Sequence, residues 1–273
     1  MSARRVSVVG SACVDLAIQT SHLPRAGETV VGGEFWALPG GKGANQAIAS
    51  ARMGAPTEFE GCAGEDAHAH LLRSALAAEG LDPAGLRTVD APTGVAVLQI
   101  DERGENQISQ ASGANEHVRP RGEYDICVMT LETPFERPSA QLFLLNAAPA
   151  RTVPLEGVDL LIVNAVEARM LSGESQVPAA HAALVRQGAM RALITLGSEG
   201  AWDGAHHPAF PVEAVDTVGA GDAFVGALAA ALALELEQPL RWAQAAGALA
   251  CTRRGAQSAP TRSEIEQFLE RVG

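Results

Sequence analysis

The sequence predicts a three-layer α/β fold, in which a mostly parallel, doubly wound sheet carries helices on both faces and a small antiparallel β element stands apart. Three observations carry this expectation. From residue 126 onward strand-like and helix-like runs alternate (ICVMTLE, LFLLNAA, LLIVNA, ALITLG, then 215–228), the pattern of parallel strands joined through covering helices. Two glycine turns, at 40–41 and 219–221, each open an Ala-rich run of helical character. Two β-type runs, 94–100 and 106–110, flank the turn at 101–105, which is hairpin chemistry lying outside the alternation.

Taken in order, residues 6–10 read as a short buried strand, and Asp15 follows near its C-terminal end, where open α/β sheets place their ligands. Residues 29–31 suggest a strand. Gly40 and Gly41 then turn the chain, and Ala44, Ala47, Ile48 and Ala51 form an apolar stripe at helical spacing. Lys42 and Asn45 fall in the first turns of that helix. The string is not a Walker A loop, because Gly43 follows Lys42 where Ser or Thr is required, and it is not G-x-G-x-x-G. A strand ending at Glu132 and another starting near Leu142 leave about nine residues between them, including Pro134 and Pro138. That is short for a crossover containing a helix, so a helix there is missing or reduced to a turn. Residues 211–215 read as the end of a strand, and 223–236 as a mostly buried helix. No repeat, low-complexity tract or linker divides the chain, so 1–273 is expected to form one domain.

Composition excludes several classes. The apolar content of 47% supports a substantial core, filled by Ala, Leu and Val because aromatics make up only 4%. A formal net charge of -12 argues against nucleic acid or an anionic membrane as partner. No run is long and apolar enough for a membrane span, and Asp15 ends the N-terminal apolar run too early for a signal peptide. Cys13, Cys62, Cys127 and Cys251 lie far apart with no C-x-x-C pair, so neither zinc nor a disulfide framework is indicated. The chain reads as a reduced cytoplasmic protein.

The chemistry concentrates at VDTVGAGDAFVGAL. Gly219, Ala220 and Gly221 are small enough to let the backbone approach a ligand, and Asp222 stands at the mouth of the following helix. A helix N-terminus offers unpaired N–H groups and partial positive charge, and is therefore an anion site. The same partial charge is expected to keep Asp222 ionised. A carboxylate beside an anion site is what phosphoryl transfer to an alcohol requires. By itself the stretch also fits an ordinary N-cap.

GGKGANQA at 40–47 and DTVGAGDAF at 216–224 resemble the two signature stretches of the ribokinase (PfkB) family of carbohydrate kinases. PRAGETV, TGVAV, LETP, NAAPA, NAVEA, TLGSEGA and TRRGAQ add matches along the whole chain. The resemblance implies a kinase that transfers the γ-phosphate of ATP to a primary hydroxyl of a small sugar, D-ribose at its 5-hydroxyl. A nucleoside kinase or another pentose, deoxypentose or hexose kinase of the same family, and a non-catalytic sugar or nucleotide sensor, are the alternatives. Asp222 is implied as the base, with the amides of Gly219, Ala220 and Gly221 as the anion hole. Asp15, Gly41, Lys42, Asn45 and Glu132 match sugar-contacting positions. Asn164 and Glu167 match an N-x-x-E that organises phosphate and Mg²⁺ through water. Thr195, Gly197, Gly200, Gly221 and Gln244 match the nucleotide side. Asp216, Val218, Ala250, Arg253 and Gly255 match a loop pair that holds a monovalent cation, K⁺, largely through carbonyls. Residues 13–36 and 93–111 correspond to a lid, through which family members often form homodimers. Two departures stand out. Cys13 replaces an Asn that touches the sugar, and Ala259 replaces a Ser that helps hold the cation.

Overall fold

The computed structural model describes residues 3–272. The first half runs β1 (Val6–Val9), β2 (Cys13–Gln19), β3 (Glu34–Gly40), α1 (Lys42–Arg52), β4 (Thr57–Ala63), α2 (Ala67–Ala78), β5 (Leu86–Thr88), β6 (Gly94–Ile100) and β7 (Asn106–Ala111). The second half runs β8 (Glu123–Thr130), β9 (Ser139–Asn146), β10 (Leu160–Asn164), α3 (Ala165–Ser172), α4 (Val177–Arg186) and β11 (Ala192–Thr195). It continues through β12 (Ala201–Trp202), β13 (His206–His207), α5 (Ala220–Ala233), α6 (Pro239–Cys251) and α7 (Arg262–Val272).

Nine strands make one sheet in the order β13-β12-β11-β10-β9-β8-β1-β4-β5, parallel from β11 to β5, with β12 and β13 added antiparallel at one edge. The central strands read as unbroken apolar runs because they are covered on both faces. On β8, Ile126 and Val128 point into one core and Cys127 and Met129 into the other. The first core includes residues of α1, α2, α5, α6 and α7, the second residues of α3 and α4.

The thin covering of the second face has a cause in the sequence. Residues 131–138, between the parallel neighbours β8 and β9, contain no helix, as their length and two prolines require. Phe135 instead lies against Phe143 of β9, ring centroids 6.5 Å apart, and packs against the second core where a crossover helix would sit.

Four strands form the separate sheet, β3-β2-β6-β7. Its two hairpin-like pairs are antiparallel, β2 with β3 and β6 with β7, and they join through a parallel β2–β6 pairing. The strand expected at 29–31 is absent; pairing starts at Glu34, opposite Gln19. Gly33 sets that start. Its φ is +111° and a Cβ there would lie 2.0 Å from the Gln19 carbonyl oxygen, so only glycine lets the chain enter the sheet at that point.

Two further expectations shift. Residues 211–215 belong to no strand; Phe210 packs edge-on to Phe268, and the amides of Val215 and Asp216 donate to the Cys251 carbonyl. The helix expected at 223–236 starts three residues earlier, capped by Gly219 in the left-handed region, and ends at Ala233. Asp222 therefore lies inside the first turn. The strand expected to reach Glu132 ends at Thr130, leaving Glu132 in the turn that follows.

Helix α5 is nearly enclosed, with eleven buried residues from Asp222 to Ala233. It crosses α1 at Gly226, where a Cβ would lie 2.3 Å from the Gln46 carbonyl oxygen and 2.5 Å from Ala49 Cβ. This close approach brings the first turns of the two helices together. Among the described residues no helix is long and apolar enough to cross a membrane.

Candidate active site

The C-terminal ends of the parallel strands converge with the starts of α1 and α5, the position where open α/β sheets bind ligands. The turn after β1 supplies Ser11, β2 supplies Cys13 and Asp15, and α1 supplies Lys42, Asn45 and Gln46. The turn after β8 supplies Glu132, the end of β9 Asn146, and the junction of β10 with α3 Asn164 and Glu167.

Asp222 is 8% exposed, and both its oxygens accept hydrogen bonds. Asn45 Nδ2 donates to Oδ2 at 3.2 Å and Gln46 Nε2 to Oδ1 at 2.9 Å. Burial pushes the Asp222 carboxyl above the ordinary carboxylate range, against the pull of Lys42, Gln46 and Asn45. The position at a helix start, expected to favour the ionised form, is thus accompanied by burial that works against it. A raised value suits a general base better.

Glu132 Oε2 accepts from Ser11 Oγ at 2.5 Å and from the Lys42 amide at 3.1 Å, which fixes it at the start of α1. Asp15 is pushed up by burial and by the charges of Glu132 and Asp222, while a hydrogen bond from Cys13 Sγ at 3.5 Å pulls it down. Burial works against the charge of Lys42, but Asp222, Glu132 and Glu167 more than offset it, and its pKa is raised. Lys42 thus stays cationic among carboxylates from both ends of the site. Asn45 Oδ1 is buried with no hydrogen-bond partner among the described residues, so an acceptor remains for an incoming hydroxyl.

The anion-hole loop is sharply constrained. Gly219 has φ +77° and a Cβ there would lie 2.2 Å from the Ala256 carbonyl oxygen, whereas a Cβ on Gly221 would meet nothing within 4 Å. Of the three expected amides, Ala220 N–H is already donated to Thr217 at 3.3 Å. Gly219, Gly221 and Asp222 have no amide acceptor among the described residues.

Asn164 and Glu167 form a capping box: Asn164 Oδ1 accepts from the Glu167 amide and Glu167 Oε2 from the Asn164 amide, both at 2.8 Å. Burial pushes Glu167 up. Thr195 ends β11 in register with Asn164, and Gly197 and Gly200 shape the turn beyond it. Gln244 donates both amide hydrogens to the carbonyls of His207 and Pro208, at 3.0 and 3.1 Å, so its donors serve the chain.

Asp216 joins the two loops expected to flank a cation. Its Oδ1 accepts from the Val218 amide at 3.0 Å and its Oδ2 from the Gly255 amide at 2.9 Å. The Ala250 carbonyl accepts from the Arg253 amide, and the Arg253 guanidinium pairs with Glu264 at 2.6 Å. Ala259 is buried, its carbonyl held by Arg52. Among the described residues no three of His, Cys, Asp and Glu converge into a metal cage.

Reading the sequence picked out Asp15, Lys42, Asn45, Glu132 and Asp222, which do converge here. It missed Ser11, Gln46 and Asn146. The signal for Gln46 was available in principle, because a polar side chain on a helix enclosed on all sides needs a buried partner.

The arrangement presents acids and amides to a neutral acceptor, with free amides and a lysine beside them, and a family model for pfkB carbohydrate kinases matches residues 3–128 and 140–262. The chain belongs to the pfkB family of carbohydrate kinases. The break in that match falls at the shortened β8–β9 connection. Among relatives, the ribokinase of Haemophilus influenzae is 34% identical over 302 aligned residues, spanning 98% of this chain and 99% of the relative. The ribokinase structure from Thermotoga maritima superposes with a TM-score of 0.89 at 33% identity, covering 98% of this chain and 99% of that one. Arabidopsis thaliana ribokinase, solved with ribose and ATP, superposes with a TM-score of 0.87 at 30% identity, covering 99% of each chain. As a pfkB member the chain is a phosphotransferase with an alcohol group as acceptor.

Proposed function

We propose that this pfkB kinase transfers the γ-phosphate of ATP to the 5-hydroxyl of D-ribose. The observation that carries the reading is the meeting of Asp222, Asn45, Lys42 and Glu132 beside the free amides at the start of α5. Similarity to ribokinases over nearly the whole chain supports the choice of sugar.

In this reading Asp15, Asn45 and Glu132 hold the sugar hydroxyls, and the Asn45 Oδ1 left without a partner accepts one of them. Three carboxylates against one lysine favour an uncharged polyol over an acceptor that already carries phosphate. Asp222 accepts the hydroxyl proton as the oxygen attacks phosphorus. The N–H groups of Gly219 and Gly221 and the Lys42 ammonium receive the charge that spreads over the transferring group. Glu167 fits Mg²⁺, since its Oε1 is not used by the capping box and magnesium takes few protein ligands. The ion, when bound, neutralises phosphate charge. The Asp216 loop pair, with the carbonyls of Val218, Ala250, Arg253 and Gly255, is where a monovalent cation would be held. Thr195, Gly197, Gly200 and Gln244 border the nucleotide. The small sheet, 13–40 with 94–111, acts as a lid that excludes water. Its exposed Phe35, Leu38, Val97 and Ile108 fit a homodimer formed through it. These substrates and the four free cysteines support a cytoplasmic location.

Cys13 favours one second reading. Its thiol is buried against Asp15, and a thiol holds a hydroxyl less well than an amide; the acceptor in that reading is a pentose with one hydroxyl fewer, 2-deoxyribose. The test is coupled ADP release with Mg²⁺-ATP over D-ribose, 2-deoxyribose, other pentoses, hexoses and nucleosides. The highest kcat/KM on ribose supports the first reading and on 2-deoxyribose the second. Turnover of nucleosides alone, or of nothing by folded protein, overturns both.

A further inference from the structure

One pair of buried amides has no role in the reaction as described so far. Gln46 is 0% exposed and Asn146 is 7% exposed, and neither is among the groups assigned to sugar or nucleotide. A buried amide without partners is costly, on the order of 1–3 kcal/mol, so their bonds should account for their presence. Gln46 Nε2 donates twice, to Asp222 Oδ1 and to Asn146 Oδ1, both at 2.9 Å. Asn146 Nδ2 in turn donates to the Ile162 carbonyl at 3.1 Å. The chain of donors therefore runs from the backbone of β10 through β9 and α1 to the first turn of α5.

Its direction is fixed chemically at both ends. The Ile162 carbonyl can only accept, so Asn146 must turn its NH₂ toward β10 and its oxygen toward Gln46. An ionised Asp222 also only accepts, so Gln46 must present NH₂ to it. The two requirements agree, and neither amide can turn over without losing a bond.

We infer that Gln46, held by Asn146, is a positioning residue for Asp222: it binds Oδ1, fixes the plane of the carboxylate, and leaves Oδ2 as the oxygen that takes the substrate's proton. Asn45 and Gln46 thereby divide the work. Asn45 binds Oδ2 at 3.2 Å, and its own Oδ1 lacks a partner, so it can turn to a substrate. Gln46 spends both side-chain hydrogens on Asp222 and Asn146, which holds its plane although its Oε1, too, is buried without a partner among the described residues. Its bond to the ionised carboxylate also opposes the burial that drives Asp222 toward protonation. The other charges facing Asp222 are Lys42 on α1, Glu132 after β8 and Asp15 on β2. The relay touches none of them.

This inference rests on Asp222 being the base, and the experiment separates the two. The full chain is labelled with ¹³C at aspartate side chains, and the Asp222 carboxyl, assigned through Asp222→Asn, is titrated without substrate. Gln46→Met keeps side-chain length and removes both donors; Asn146→Leu removes the support and leaves Gln46 in place. The titration midpoint is expected to move upward in Gln46→Met, and by less in Asn146→Leu. With D-ribose and Mg²⁺-ATP, kcat is expected to fall about ten- to a hundredfold in Gln46→Met, as the loss of a bond to a charged group implies, with both KM values within twofold. The acid limb of kcat/KM should move upward with the carboxyl, and the double variant should be no slower than Gln46→Met alone. An unmoved midpoint in both single variants, or a fall in kcat with an unmoved acid limb, overturns the positioning role. If Gln46→Met does not fold, the Asn146→Leu titration decides alone. Should Asp222→Asn stay active, the base assignment fails whatever the relay variants do; an inactive Asp222→Asn beside an unaltered Gln46→Met defeats only the relay.

Discussion

Replacing Asp222 by Asn tests the chemistry and the electrostatics together. The relay fixes Gln46 as a donor, so the introduced amide must keep its oxygen toward Gln46 and turn its NH₂ toward Asn45. Asn45 can accept there by turning its own amide over, because its Oδ1 has no partner among the described residues. The variant therefore keeps both contacts and the same volume, and loses only the charge and the proton acceptor. General-base catalysis is worth about 10²–10⁴ in rate, or about 2.7–5.4 kcal/mol of barrier at roughly 1.36 kcal/mol per decade. The effect on stability has the opposite sign. Burial raises the folded-state pKa of Asp222 above its ordinary value of 3.8, so the native state binds more protons than the unfolded chain between those two values. Stability falls as pH rises through that window, and the ionised carboxylate burdens the fold at neutral pH. An amide at this position has no such penalty. The variant should be at least as stable as the parent at about pH 7, with the difference closing as pH falls toward 3.8. Coupled ADP release gives the rate, and urea denaturation at several pH values gives the stability. A variant that keeps a tenth of the parent kcat would remove Asp222 as base; one clearly less stable than the parent at neutral pH would refute the burial argument.

Two further substitutions probe the packing and the sugar contact. Gly226→Ala should destabilise by about 1–3 kcal/mol through overpacking and reduce kcat, because the new Cβ meets the Gln46 carbonyl 2.3 Å away and pushes α1 from α5. Helix propensity alone would favour Ala by about 1 kcal/mol, so unchanged or increased stability in urea would mean the helices can separate freely. Cys13→Asn supplies an amide beside Asp15 where the thiol now stands, 3% exposed. It should raise the kcat/KM ratio of D-ribose over 2-deoxyribose by about tenfold, the worth of one hydrogen bond of roughly 1.4 kcal/mol. An unchanged ratio would show that this side chain does not sense the sugar.

Much of the architecture was legible because it rests on local rules. Uninterrupted apolar runs such as 126–129 announce a sheet buried on both faces, and the two prolines in 131–138 announce a connection without a helix. Errors came where a local preference was outvoted. Residues 29–31 have β-type side chains, yet Val31 is 90% exposed and pairing waits for the glycine turn that admits the chain to the small sheet. The helix holding Asp222 begins earlier than its apolar residues suggest, because Gly219 closes the first turn through the bond from Ala223 N–H to its carbonyl.

The sequence by itself determined the family, the parallel sheet and the roster of acids, amides and lysine at its strand ends, since these depend on short stretches and their spacing. Only the tertiary structure decided which of those groups face one another. Gln46 reaches Asn146 across 100 residues of chain and Asp222 across 176, and whether they meet depends on α1 and α5 touching at Gly226. The same packing set the direction of the Asp222 shift: Lys42, Gln46 and Asn45 favour its charge, but the burial imposed by the surrounding elements is the larger effect. No periodicity records that balance, because it depends on how much water the assembled fold excludes.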